Sequence, residues 1–543
     1  MLRKVFLIIL SLTTITSCTT GSSNDSFVAS KNASTTPYGK YAKTVTYTLG
    51  NLTGVNNSNM PSGDTYENNA YTRYLKKVLN VQNKDVFEAY DKDYTSAVEH
   101  AILSKKIPDV MIVENVDDLE YLIKNDMIEN LTTAYRNCTT SRIKAIYNSY
   151  GSDMMNAVTY NGKLYAMPET NIDDGPNLFW CRSDWLKELG LKAPKTLSDV
   201  EHIVKVFREK KKTDGLLADT SLTAGTGYSS EYLLNLYFAS QNVYPKQWMK
   251  VNGQIQYGSI NTNAKKVLAH LHTLYQEGIL DQKFLQRTSA NITQEIINEK
   301  CGAFFGPWWV PNNPLVDAIK KNPHAKWTPY RIATSSDGTT SYHSINPTTK
   351  FVVVRKGYKH PEVIFKIISV IFDYLRYENK NVRSINRYYA LNVDPTARPI
   401  AINVDYANAL NRSYASITKI LKGGKITDDI SSSDVSYASA CRDYLKNAKN
   451  NRAENWAAYT TRIEALKLLD TEKIKKVQCV FFGTTKTYEK KGYYLEQLEE
   501  DTYLKIISGK AKVSSFDDFV KKWKKNGGDA ITKEVIQYEK SKS

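Results

Sequence analysis

Asp109-Val110-Met111-Ile112-Val113, directly after Pro108, leaves a strand almost no polar side to turn toward water. Such a run predicts a strand covered on both faces, as in a parallel sheet flanked by helices. Its surroundings agree. Thr44 to Thr48 alternates β-branched and aromatic residues and stops at the turn formers Gly50 and Asn51. A helix is predicted from about Asn68 to Leu79. Asp93 can cap a second helix, on which Tyr94, Ala97, Val98, Ala101 and Ile102 form an apolar stripe, and Asp117 opens a third. Strands alternating with helices of this length predict an α/β fold. In such sheets ligands bind beyond the carboxyl ends of the strands, which singles out Asn51, Glu114 and Asn115. The same residues serve equally well as turn and helix-cap residues.

The chain of 543 residues is long enough for two large domains or one bilobed body, and its 41% hydrophobic and 24% charged residues are ordinary for a folded protein. Arg3 and Lys4, the apolar run Val5 to Leu12, and Ile15-Thr16-Ser17 before Cys18 resemble a bacterial lipoprotein signal, in which the cysteine thiol receives lipid. An ordinary signal peptide cleaved nearby is the alternative. Residues 19 to 37, rich in Ser, Thr, Asn and Gly, read as a flexible tether. Removal of residues 1–17 takes away two basic residues, so the formal charge falls from +17 to +15. The lysines are spread along the chain and fit a dispersed basic surface. An acidic glycan is favoured only if positive charge lines a cleft. The cysteines at 138, 181, 301, 441 and 479 show no CxxC and no regular spacing, which argues against a zinc site and against a disulfide framework.

Several longer segments carry a resemblance. KKIPDVMIVENVDDLEYLIKNDMIENLT, NGKLYAMP at 161 to 168, LFWCRSDWLKELGLKAPKTLSDV, GQIQYGSINTNAKKVLAHLHTLYQEGILDQKF and FDDFVKKWKKNGGDAITKEV follow in the order found in family 1 extracellular solute-binding proteins. The chain resembles that family's long lipoprotein subgroup from about residue 44 to 538. The resemblance implies a two-lobed, periplasmic-binding-protein-like α/β fold of class II type, with C-terminal helices and a ligand cleft between lobes that close like a hinge. It implies a signal peptide over 1–17, a lipidated cysteine and tether over 18–39, and a first lobe over 40–165 plus about 350–455. The second lobe is expected over about 170–345 plus about 456–540.

HExxH, GxSxG, the Gly-rich phosphate loop and the calcium-loop pattern are absent, and the seven histidines lack metal-ligand spacing. His343 and His360 read as surface or turn residues rather than bases. Asp173 and Asp174 are a tempting carboxylate pair, but adjacent residues seldom converge on one substrate atom, and hydrogen bonding to sugar hydroxyls or turn capping fits them better. A pyranose offers an apolar face and a rim of hydroxyls, so a binding site needs flat aromatic platforms beside polar groups. The chain supplies 37 tyrosines and 8 tryptophans. GPWW at 306 to 309 is the sharpest candidate, because the resemblance to maltodextrin-binding members implies that Trp308 stacks on a sugar ring. Trp309 has no counterpart there, so a second platform and a lobe-surface indole both stay open. Trp180 reads as strand core or ligand contact, and Trp185 as first-turn helix packing.

The resemblance thus implies an extracellular, membrane-anchored, monomeric receptor without catalytic activity, cofactor, metal or nucleic acid. It would take an oligosaccharide and deliver it to the permease subunits of an ABC importer. A peptide receptor and a surface polysaccharide-degrading enzyme are the alternatives.

Overall fold

The computed structural model describes residues 28–54, 60–223, 232–391, 393–447 and 452–541. Cys18, the signal segment and residues 18–27 lie outside them. No helix among the described residues is long and apolar enough to cross a membrane.

The run Val110–Val113 is a strand with all four residues buried, as expected. It sits at the centre of a five-stranded sheet in the order 81–89, 45–52, 110–113, 351–354, 167–168. The first three run parallel, while Phe351–Val354 enters antiparallel, pairing Phe351 with Val113 and Val354 with Val110. Asp109 fixes this arrangement. It accepts from the Thr48 amide at 2.9 Å, its own amide donates to Thr48 Oγ1 at 2.8 Å, and Arg355 reaches it at 2.6 Å.

Asn51 lies inside the first strand, Val45–Leu52, rather than after it. Gly50 does not end the strand because its partner bulges there. Phe87 crosses so close that a Cβ on residue 50 would lie 2.4 Å from its ring. The edge strand Val81–Ala89 exposes every second residue, and its run of polar residues from Gln82 to Asp85 gives no continuous apolar signal. Two helix starts also shift. Tyr90 precedes the helix Asp91–Leu103, and Asn115 caps Val116–Lys124.

The second sheet has three strands, with Leu178–Arg182 between Ala303–Gly306 and Trp327–Tyr330, both antiparallel to it. Alternation along a strand divides its neighbours into two cores. Phe179, Cys181 and Phe305 face one cluster, which the C-terminal helices complete through Tyr503, Phe516 and Trp523. Leu178, Trp180 and Phe304 face another, which takes in Trp308, Trp327, Leu410, Ala465 and Leu466. A separate core around the five-stranded sheet gathers residues between Ala33 and Met167 and between Phe351 and Val404. Leu410, in the stretch assigned to the first lobe from sequence, therefore packs with the second sheet.

Part of the expected tether is built into the first core. Residues Ala33–Thr35 form a short 3-10 turn, and the buried Lys366 ammonium donates to the carbonyls of Ala33 and Thr36, each at 2.7 Å. Burial pushes the Lys366 amine down to about 8. The segment supplies few side chains to bury, but its carbonyls satisfy a buried cation, which composition does not report. All five cysteines among the described residues are buried and free.

Candidate functional site

Three segments pass between the two sheets, and they are sewn together. The Glu169 amide donates to Lys350 O, the Thr170 amide to Asn403 O and the Asn171 amide to Pro347 O, each at 2.8 Å. The Glu169 carboxylate, 3% exposed, accepts from the Asn403 amide at 3.1 Å and from Lys350 Nζ at 3.4 Å. Burial raises the Glu169 pKa, opposed chiefly by the Lys350 charge. Crossings bonded to one another where they leave the two lobes have the build of a hinge.

Beside these crossings lies a cavity of about 520 Å³, walled by Arg376, Tyr377 and Arg398 from the side of the first sheet and by Trp308, Tyr437 and Arg462 from the other. Trp308 reaches it through the local chemistry of GPWWVP. The strand ends at Gly306, whose missing side chain makes room for Val310; a Cβ there would meet Val310 Cγ2 at 2.6 Å. The Val310 amide bonds back to Pro307 O at 3.3 Å, and Val310–Asn312 is a 3-10 turn. The two indoles therefore do not alternate as in an extended strand, since Trp309 is helical at φ −89°, ψ 0°. Trp308 lines the cavity, whereas half-buried Trp309 packs against the core that holds Trp180 and is not among the lining residues.

Trp308 is 6% exposed, and its surroundings hold it tightly. Its indole N–H donates to Asp174 Oδ1 at 2.9 Å, and the Arg462 guanidinium lies 4.8 Å from its ring and 4.1 Å from that of Tyr437. Burial lifts the Asp174 pKa to about 6, with the Trp308 bond pulling it down and the Asp173 charge pushing it up. Asp173 turns to other partners, Tyr342 and Lys476, each at 2.8 Å. The adjacent carboxylates thus diverge, and both also line a much smaller cavity, of about 30 Å³, beside Tyr244 and His343.

The remaining candidates are not gathered at the larger cavity. Asn51 is 1% exposed and donates to Asp85 at 2.7 Å. Asn115 caps its helix by accepting from the Asp118 amide at 2.7 Å. Glu114 is half-buried against Thr95, and its pKa is raised by burial first, with Lys350 opposing. Trp180 has no exposed surface, and its N–H is committed to Gly306 O at 3.1 Å and Pro307 O at 3.2 Å, so it is core and not a ligand contact. His343 is likewise no surface residue. It ends a strand, is buried, and bonds Ser344 O at 3.0 Å, with burial lowering its pKa. Four cavity arginines at 376, 398, 412 and 462 escaped the sequence reading. No local motif marks them, because they come from separate helices and loops that converge only in the fold.

A model of the bacterial extracellular solute-binding proteins matches residues 69–340, half of the chain. The chain belongs to this family. Among curated relatives, Lipoprotein LipO of Bacillus subtilis (strain 168) is 21% identical over 420 residues, covering 75% of this chain and 76% of LipO. The polygalacturonan/rhamnogalacturonan-binding protein YtcQ of the same strain is 23% identical over 390 residues, covering 69% of this chain and 70% of YtcQ. The fold matches that of the Streptococcus pneumoniae ABC-transporter substrate-binding protein FusA, solved in complex with fructo-nystose. That match has a TM-score of 0.59 and 14% identity, and covers 92% of this chain and 99% of that one. The two-lobed solute-binding architecture expected from the sequence is thereby established, and the family is one of binding proteins rather than enzymes.

Proposed function

We propose that this solute-binding protein captures an oligosaccharide between its two lobes and presents it to the permease of an ABC importer. The observation that carries the reading is the large cavity beside the three crossings, walled from both sheets by aromatic rings and by groups able to bond hydroxyls. Ligand pockets occupy about 300 to 1000 Å³, and this cavity of about 520 Å³ falls within that range, with room for a short oligosaccharide. The names of YtcQ and FusA, a polygalacturonan-binding protein and an ABC-transporter protein solved with a sugar, support the same class. Trp308 is the residue proposed to meet the sugar, with Asp174 holding its indole. Asp173 and Asp174 face different partners, which favours binding over hydrolysis.

A thermal-shift screen of oligosaccharides, peptides and amino acids tests this, because a ligand bound only by the native state raises the melting temperature. Oligosaccharides are expected to stabilise the protein, and stabilisation by peptides alone would overturn the reading.

Lipid attachment at Cys18 on the outer face of the membrane belongs to the same proposal, resting on the signal pattern of residues 1–18 and on the name of LipO. A lipid-anchored receptor would stay at high effective concentration near its transporter. Cys18→Ser is expected to move the protein from the membrane fraction to the medium. An unchanged membrane fraction would rule the anchor out.

A further inference from the structure

The cavity wall carries four arginines and four aspartates, yet few of them are paired directly. Of its arginines, Arg376 is paired with Asp405 at 3.1 Å, while Arg398, Arg412 and Arg462 form no ion pair with a described carboxylate. The other three cavity aspartates are turned to hydroxyls instead: Asp394 accepts from Thr396 at 2.6 Å, Asp434 from Ser413 at 2.6 Å, and Asp429 from Thr427.

Arg398 and Arg462 stand out further. Arg398 is 9% exposed, packs 5.0 Å from the Phe372 ring and touches the Tyr71 hydroxyl, yet its buried Nε has no acceptor. Arg462 lies between Trp308 and Tyr437, reaches Ser413 Oγ with one terminal nitrogen at 3.4 Å, and its buried Nε also lacks an acceptor. A guanidinium taken out of water without a counter-charge is costly, and closure of the lobes would remove still more water. Flat aromatic seats fix the plane of each fork, and a planar fork matches a carboxylate with two parallel bonds. Sugar hydroxyls would fill the hydrogen bonds but bring no carboxylate into direct contact with either guanidinium.

We propose that the ligand is an anionic oligosaccharide carrying uronic-acid carboxylates, held by Arg398 on the wall of the first sheet and by Arg462 on the opposite wall. A carboxylated chain reaching both walls binds the closed state better than the open one, and its charge thereby favours closure. This inference rests on the oligosaccharide reading above.

The test is calorimetric titration of the protein with oligogalacturonate and oligomannuronate, each beside its fully methyl-esterified form, which keeps the sugars and linkages and removes the charge. The better of the two acids is expected to bind about tenfold or more tightly than its ester, and to weaken as salt rises. Arg398→Gln and Arg462→Gln are each expected to bring the ratio of acid to ester affinity toward one. Should Arg398→Gln fail to fold, the acid-to-ester ratio of the unaltered protein still decides. Esters or neutral oligosaccharides binding as tightly as the acids would overturn the anionic ligand and leave the oligosaccharide reading standing. Failure of every glycan, charged or neutral, would overturn both.

Discussion

Trp308→Ala is expected to lose ligand affinity and fold stability together. Removing a buried tryptophan leaves a cavity and costs about 3 to 5 kcal/mol of stability. Loss of the aromatic contact should weaken sugar binding by about 1 to 3 kcal/mol. The indole also anchors two neighbours, Asp174 through its N–H and Arg462 through its face. Trp308→Phe separates these roles, because it keeps most of the apolar volume and deletes only the donor to Asp174. The pH dependence then carries a signature. Asp174 sits near 6 in the folded chain, above the usual aspartate value, so the folded state binds the extra proton between those limits. Stability from this group is therefore highest below the ordinary aspartate pKa and is lost as pH rises toward about 6. Without the Trp308 donor the folded pKa rises further, and Trp308→Phe should keep losing stability at higher pH than the unaltered protein. Thermal melts across pH 4 to 8, with roughly that range bracketing the shifted group, and titration with a bound oligosaccharide supply both readouts. Unchanged affinity in a folded Trp308→Ala protein would remove Trp308 from the site.

The elements legible in the sequence are those with one dominant physical cause. Val110–Val113 is buried on both faces, and nothing but a central strand satisfies four apolar residues there. Asn69 closes a capping box with Thr72 and starts the helix Ala70–Leu79 close to where it was expected. The structure departs from the local signal where a long-range contact outweighs it. Gly50 looks like a terminator, yet it is the point where Phe87 crosses within a continuing strand. The indole pair of GPWWVP looks like a strand residue and its neighbour, yet the turn from Pro307 to Val310 breaks the alternation and sends only Trp308 to the cavity. Residues 33–37 look like tether because they bury little side chain, while their carbonyls are what Lys366 needs. The arginines of the cavity are the least legible, since each is an ordinary helix or loop cation until the fold brings them to one cavity.

Glu169→Ala is expected to destabilise the protein by about 2 to 4 kcal/mol and to loosen the coupling between the lobes. A fully buried ion pair broken on one side costs about 3 to 5 kcal/mol, but Lys350 is 26% exposed and water can take over part of its charge, which lowers the figure. The Asn403 amide has no such recourse if it stays buried without the carboxylate that now accepts from it. Glu169 is also placed so that one side chain binds two other crossings, Thr349 and Lys350 in one and Asn403 in the other. Backbone bonds alone would still join the segments, so the variant should fold, with a softer hinge. Glu169→Gln keeps an acceptor for the Asn403 amide and forfeits only the charge opposite Lys350, so a smaller loss of about 1 kcal/mol is expected. Small-angle scattering with and without a bound oligosaccharide reads the hinge directly. The unaltered protein should contract on binding, and Glu169→Ala should start from a broader spread of lobe separations and need more ligand to reach the same closed form. If Glu169→Ala instead matched the unaltered protein in both melting temperature and contraction, the carboxylate would be a bystander to the crossings, and hinge stiffness would have to come from their backbone ladder alone.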